Sequence, residues 1–203
     1  GNCSPSRTAL MTGRTPARVG VRDWIPEDSP VHVKRSEITI ATLLRNAGYT
    51  TCQSGKWHMN GEFNKPTQPQ PGDHGFDHWF STQNNAYPNH RNPDNFVRNG
   101  TEVGKTEGYA AHLVADEAIQ WLTALRDKTK PFFLYVCFHE PHEPIASDDK
   151  YTKLYPSSDP SYSAHHGNIT QMDDAFGRVM RALDEQGLRE STFVMFTSDN
   201  GPA

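Results

Sequence analysis

The chain predicts an α/β domain built on a mostly parallel sheet with helices against it, and two observations predict it. Segments with apolar residues at helical spacing alternate with short apolar runs of strand length. Each of three such runs then opens into a polar cluster, as in open α/β sheets, where ligands gather beyond the carboxyl ends of the strands. At 203 residues the chain is long enough for one domain with a substantial core.

Taken in order, Pro5 to Thr12 reads as a short helix, with Ser4 as its cap, Pro5 at its first position and Gly13 as its terminator. That places Cys3 just before a helix N-terminus, where free N–H groups and the helix dipole favour negative charge. Ile40, Leu43, Leu44 and Ala47 keep the next helical period, with Ser36 as cap and Gly48 as stop. Tyr49 to Gln53 follows as a strand that delivers Gly55-Lys56-Trp57-His58. Between Met59 and Lys105 the chain is rich in Pro, Gly, Asn, Asp and His, and only Phe76 to Phe80 reads as locally ordered. This stretch is expected to wall a substrate pocket or to be solvated loop. Ala115, Ala118, Ile119, Leu122 and Leu125 mark a second helix, and Phe132 to Phe138 a buried strand that delivers His139-Glu140-Pro141-His142. Ile169, Met172, Phe176, Val179, Met180 and Leu183 mark a third helix, closed by Gly187. Thr192 to Thr197 reads as the strand that delivers Asp199 and Asn200.

Composition excludes several function classes. A formal charge of −4 with scattered basic residues leaves no electrostatic footprint for nucleic acid, and no apolar run approaches a membrane span. Three cysteines, Cys3, Cys52 and Cys137, make no disulfide framework and leave at least one thiol unpaired within the chain. The sequons at Asn99 and Asn168 matter only in a secreted eukaryotic protein. A start at Gly1 and an end at Pro202-Ala203, directly after a functional-looking loop, read as cut ends, so a missing leader carries no information.

The strongest local signal is Cys3-Ser4-Pro5-Ser6-Arg7, which runs on to Thr12-Gly13-Arg14. It combines a cysteine with a proline two residues on, an arginine four residues on and a Thr-Gly pair nine and ten residues on. This run resembles the signature of sulfatases, in which the cysteine is oxidised to formylglycine. The resemblance extends over almost the whole chain. It includes Gly55 to His58, Gly75-Phe76-Asp77, Pro141-His142-Glu143-Pro144 and Asp199-Asn200-Gly201, in the family's order.

The resemblance implies the fold of the alkaline phosphatase superfamily and a role for each matched residue. Cys3, modified to formylglycine by a maturation enzyme, would attack sulfur, with Arg7 holding the modified side chain. Lys56 would bind sulfate oxygens, His58 would take a proton as sulfate departs, and His142 would protonate the leaving alcohol. Asp199, Asn200 and the modified Cys3 would give oxygen ligands to Ca2+, or alternatively Mg2+. The substrate class would be a sulfated saccharide or an aryl sulfate. A saccharide is preferred because Asn, His, Arg, Tyr and Trp crowd the stretch from Phe76 to Arg98. The resemblance also implies export to periplasm, extracellular space or lysosome.

Plainer readings apply to other residues. His139 reads as a structural histidine, and His74, His78, His90, His165 and His166 carry no assigned role. Asp173 and Asp174 read as the polar face of the third helix. The family also has an Asp pair on an earlier strand, and a Lys and a smaller domain later on. Residues 1–203 are therefore expected to be part of a catalytic domain, inactive and marginally stable alone. The alternatives are a phosphonate or phosphate ester hydrolase of the same superfamily and a non-catalytic binding protein that kept the fold.

Overall fold

The computed structural model describes residues 2–201, so Gly1, Pro202 and Ala203 lie outside the described residues. Helices α1 (Cys3–Thr12), α2 (Pro16–Val19) and α3 (Ile40–Asn46) lead into strand β1 (Thr50–Lys56). Strands β2 (His78–Thr82), β3 (Val97–Arg98) and β4 (Thr101–Glu102) follow, then α4 (Ala110–Gln120), β5 (Phe132–Cys137), α5 (Asp149–Thr152) and α6 (Pro160–Glu185). The sheet runs β4-β3-β2-β1-β5. Strands β2, β1 and β5 are parallel, with the β3–β4 hairpin added antiparallel on one side.

Alternation along β5 sorts the two layers of the core. Phe132, Leu134 and Val136 pack with Ala115 and Ala118 of α4, Trp121 and Leu122 of the helical turn after it, and Ala175, Val179 and Leu183 of α6. Phe133 and Tyr135 pack with Met11, Ala41, Trp57 and Phe76 on the other face. Burying α4 and α6 on one face and α1 and α3 on the other leaves the carboxyl ends of β1, β2 and β5 level. Gly55 is in register with Cys137, and Lys56 with Thr82.

Several boundaries differ from the sequence reading. Asn2, not Ser4, caps α1, because the Asn2 carbonyl accepts the first helical bond from the Ser6 amide. The Ser4 hydroxyl accepts instead from the Ile25 amide at 3.0 Å. Thr39, not Ser36, caps α3, through the Thr42 amide at 3.1 Å. Strand β1 runs three residues past Gln53, since β2 and β5 both continue to pair with it. The Phe132 run is half-buried rather than buried, because β5 is the edge strand of the sheet. Residues 192–197 form no strand: among the described residues no neighbour pairs with them, and Phe193, Met195 and Phe196 lie exposed.

The irregular stretch is pinned by amides. Gln68 Oε1 accepts from the Gly61 and Glu62 amides, and Gln70 and Asp73 form a capping box. Gln83 Nε2 donates to Ile25 and Asn60 carbonyls. The Gly75-Phe76-Asp77 element clasps the start of β1, with Asp77 Oδ2 accepting from the Thr51 amide at 3.1 Å.

Close approach fixes two glycines. A Cβ on Gly55 would lie 1.9 Å from the Cys137 carbonyl oxygen, and one on Gly75 would lie 2.3 Å from the Thr42 nitrogen. Both have positive φ. Replacement of either by Ala should cost about 3 kcal/mol or more. Gly13→Ala, with positive φ but open space around it, should cost only about 1–2 kcal/mol in urea denaturation.

Four histidines are held neutral by burial. His58 is pushed down to about 3, His74 and His90 to about 4, and His139 well below its ordinary value. Their contribution to stability is complete above the ordinary value of 6.5 and is lost as pH falls toward these depressed values, because the unfolded chain takes up the protons first. Glu140, raised by burial to about 7, acts in the opposite sense between 4.5 and 7. The urea midpoint should therefore fall steeply from pH 6.5 to 4.5, with net uptake of about three protons on unfolding. A midpoint flat over that range would contradict the buried neutral state.

Candidate active site

Helix α1 and strand β1 meet end to side. Cys3 is half-buried at the first position of α1, inside the helix rather than just before it, and Arg7 stands one turn further on the same face. Arg7 is 8 % exposed, and its guanidinium is used on two sides. Nη1 donates to the Lys56 carbonyl at 3.1 Å. Nε and Nη2 both donate to Asp199 Oδ2, at 3.1 and 2.8 Å. One side chain thus ties α1, the end of β1 and the 199–200 loop together.

Lys56 is 2 % exposed and closes the same space. Burial and then the Arg7 charge depress its pKa, while Cys3 and Asp199, both within interaction range, oppose them. Among the described residues no carboxylate lies within ion-pair distance of the Lys56 ammonium. A buried cation without a matched anion is costly, and an anionic ligand removes that cost.

His58 follows in a left-handed backbone conformation, φ 56°, which turns the chain out of the sheet. Its Nε2 lies 3.0 Å from the Ile25 carbonyl, a group that only accepts, so Nε2 carries the proton. Nδ1 is left as a buried lone pair with no partner. Burial, followed by Lys56, Arg7 and His142, lowers its basicity. His142 is exposed on the turn after β5, where Nδ1 donates to the Glu143 carbonyl at 2.7 Å and leaves Nε2 toward solvent. A proton on its ring would disfavour one on His58 or His90.

Six of the residues singled out in the sequence, Cys3, Arg7, Lys56, His58, His142 and Asp199, therefore share one electrostatic neighbourhood. Asn200 is placed there only through Asp199, since its own side chain donates locally to Gly201. Its Oδ1 is buried and unpartnered, a hard oxygen that suits a calcium or magnesium ion beside Asp199. Among the described residues no group of three or more His, Cys, Asp or Glu side chains could hold a metal ion. Asp199 and Asn200 fit as part of an oxygen-ligand set of about six to eight, not as the whole of one.

Residues not anticipated support this arrangement from below. Gln53, fully buried in β1, donates to the Gly55 and Lys56 carbonyls and accepts from Ser81. The Cys137 thiol and Tyr135 hydroxyl, both kept neutral by burial, lie beside Arg7, whose charge is matched by Asp199. A glutamine inside an otherwise buried strand was the available signal. His139 is buried, its Nε2 bonded to Thr82 Oγ1 at 2.8 Å. Asp174 accepts from the Tyr151 hydroxyl and Asp173 lies beside it on α6, away from the site.

With this geometry in hand, likeness to known proteins is informative. The sulfatase family model matches residues 1–203. The chain is 32% identical over 225 residues to N-acetylgalactosamine-6-sulfatase of Mus musculus, covering 99% of this chain and 41% of that protein. It is 32% identical over 226 residues to an arylsulfatase of Hemicentrotus pulcherrimus, covering 98% of this chain and 38% of that protein. The crystal structure of Ps i-CgsB in complex with k-i-k-neocarrahexaose superposes with a TM-score of 0.80 at 28% identity, over 92% of this chain and 45% of that one. The chain thus spans about two fifths of the length of the curated relatives it matches. On its sequence and on its fold, it belongs to the sulfatase family.

Proposed function

We propose that this chain carries the nucleophile and the sulfate cradle of a sulfuric ester hydrolase acting on a sulfated carbohydrate. The observation that carries this reading is the buried pair Arg7 and Lys56 at the α1 N-terminus, with the Lys56 ammonium unpaired and directed at Cys3. Oxidation of Cys3 by a maturation enzyme to formylglycine supplies, as its hydrate, an oxygen that attacks sulfur and a second hydroxyl that later expels sulfate.

The residues of the chain do the rest. The α1 amides and Lys56 bind the sulfate oxygens, and Arg7 holds the modified side chain while its carboxylate partner Asp199 keeps it in place. Protonated at Nε2, His142 gives a proton to the departing alcohol. The free Nδ1 of His58 receives the proton of the second hydroxyl. Beyond burial, Lys56 and Arg7 weaken His58 as a base, and sulfate bound beside them offsets their charge, so His58 gains basicity when the site is filled. A divalent cation on Asp199, Asn200 and the modified Cys3 would screen the sulfate charge.

A sulfated saccharide as substrate is supported by likeness to an N-acetylgalactosamine-6-sulfatase and to Ps i-CgsB, whose structure holds k-i-k-neocarrahexaose. The loop after β2 carries Asn, Tyr and Arg side chains between Asn84 and Arg91, residue types that suit hydrogen bonding and stacking with a sugar. The decisive comparison uses the whole matured protein with aryl sulfate and aryl phosphonate. The sulfate should be preferred in kcat/KM, and Lys56→Ala should lower kcat on it by about 100- to 1000-fold. A phosphonate turned over more efficiently would replace this reading by that of a phosphonate hydrolase.

A further inference from the structure

Behind the turn that carries His142 lies a second buried polar cluster that none of the roles above uses. Glu140 has a fully enclosed side chain. Its Oε1 accepts from the Ala111 amide in the first turn of α4 at 2.8 Å, and its Oε2 from the His139 amide at 3.2 Å. From α6, Gln171 also reaches the carboxylate. From the loop before β3, His90 Nδ1 lies 3.8 Å away.

The orientations in this cluster are determined. Asn168 Nδ2 donates to the Ala146 carbonyl at 3.3 Å and to His90 Nδ1 at 3.2 Å, so His90 carries its proton on Nε2. Thr82 spends its single hydroxyl proton on the Asn84 carbonyl, so His139 Nε2 must donate to Thr82. Among the described residues His142, by contrast, makes bonds only within its own turn: its amide to the His139 carbonyl at 3.0 Å and its Nδ1 to the Glu143 carbonyl. The contacts that anchor residues 139–142 to the interior are those of Glu140 and His139.

A carboxylate this deep is costly, and burial accordingly pushes it up to about 7 against the pull of the backbone amides. Packing alone would be served by an apolar residue. The helix N-terminus and the His139 amide instead give the carboxylate one geometry, and the turn inherits it. We propose that Glu140 is a positioning residue for His142, fixing the 139–142 turn on the N-terminus of α4 so that His142 Nε2 meets the leaving oxygen of the substrate. The proposal rests on the reading of His142 as proton donor.

The test uses the whole matured protein with 4-nitrophenyl sulfate, whose leaving group needs little protonation, and phenyl sulfate, whose leaving group needs more. His142→Ala should lose more kcat on phenyl sulfate. Glu140→Gln, which keeps the shape and an acceptor for the Ala111 amide, should show the same bias with a kcat loss of about 10- to 100-fold on phenyl sulfate and little change in KM. Glu140→Gln should add nothing further in the His142→Ala background. Equal losses on both esters from Glu140→Gln while His142→Ala discriminates, or full additivity of the two substitutions, would overturn the proposal. If His142→Ala itself fails to discriminate, the donor reading falls, and Glu140 then stands or falls on additivity alone. Thermal midpoints check that Glu140→Gln folds; should it not, Glu140→Asp, which keeps the charge but cannot reach both amides, carries the same comparison.

Discussion

The guanidinium of Arg7 is the contact on which the site depends. It is buried where α1, the end of β1 and the loop at Asp199 come together, and it bonds to two of these elements while growing from the third. Its planar fork meets a carboxylate with two N–H groups and a carbonyl with another, which a lysine could not do from one position. Removing it would strand the Lys56 carbonyl and a partly buried Asp199 carboxylate together, and would separate Cys3 from the cation that faces it.

Everything above that contact is delivered by the parallel strands. Because Gly55 approaches the Cys137 backbone closely, β1 and β5 run in register to their carboxyl ends, and Lys56 and His58 emerge beside the turn that carries His142. The left-handed residue at His58 then bends the chain so that one ring nitrogen faces a carbonyl and the other a polar space. Neutral buried histidines and an unpaired buried lysine are each unfavourable in an empty fold. The gathering of His58, His139 and Lys56 at one sheet edge is the pattern expected where binding an anion recovers the cost.

Much of this was legible in the chain because the informative residues are short-range. Gly13 ends α1 as its position indicates, and periodicity located α4 and α6. What the residues alone could not give depends on partners distant in sequence. Ser4 looked like a cap, yet its hydroxyl serves Ile25, and the cap passed to Asn2. The apolar run at 192–197 has strand composition, but a strand needs a neighbour to pair with, and none does so among the described residues. Strand β2 shows in the sequence only as local order from Phe76 to Phe80, because its pairing with β1 is what makes it a strand. The Asn99-Gly100 turn between β3 and β4 was a hairpin signal passed over as a sequon. Glu140 was invisible as anything but an exposed-type residue, since its burial is decided by α4 and α6 closing over it. In the site, the matched motifs include both residues that Arg7 bonds, Lys56 and Asp199, whereas Gln53, Ser81 and Cys137 beside them carry no motif.

The central claim is that Cys3 is a precursor of the nucleophile rather than a small apolar residue at a helix end. Mass analysis of the peptide containing Cys3, from the whole protein produced in a host with the maturation enzyme, tests this most directly. The account predicts an aldehyde in place of the thiol. An intact thiol under those conditions would contradict it and leave the cradle of Arg7 and Lys56 as an anion-binding site without chemistry.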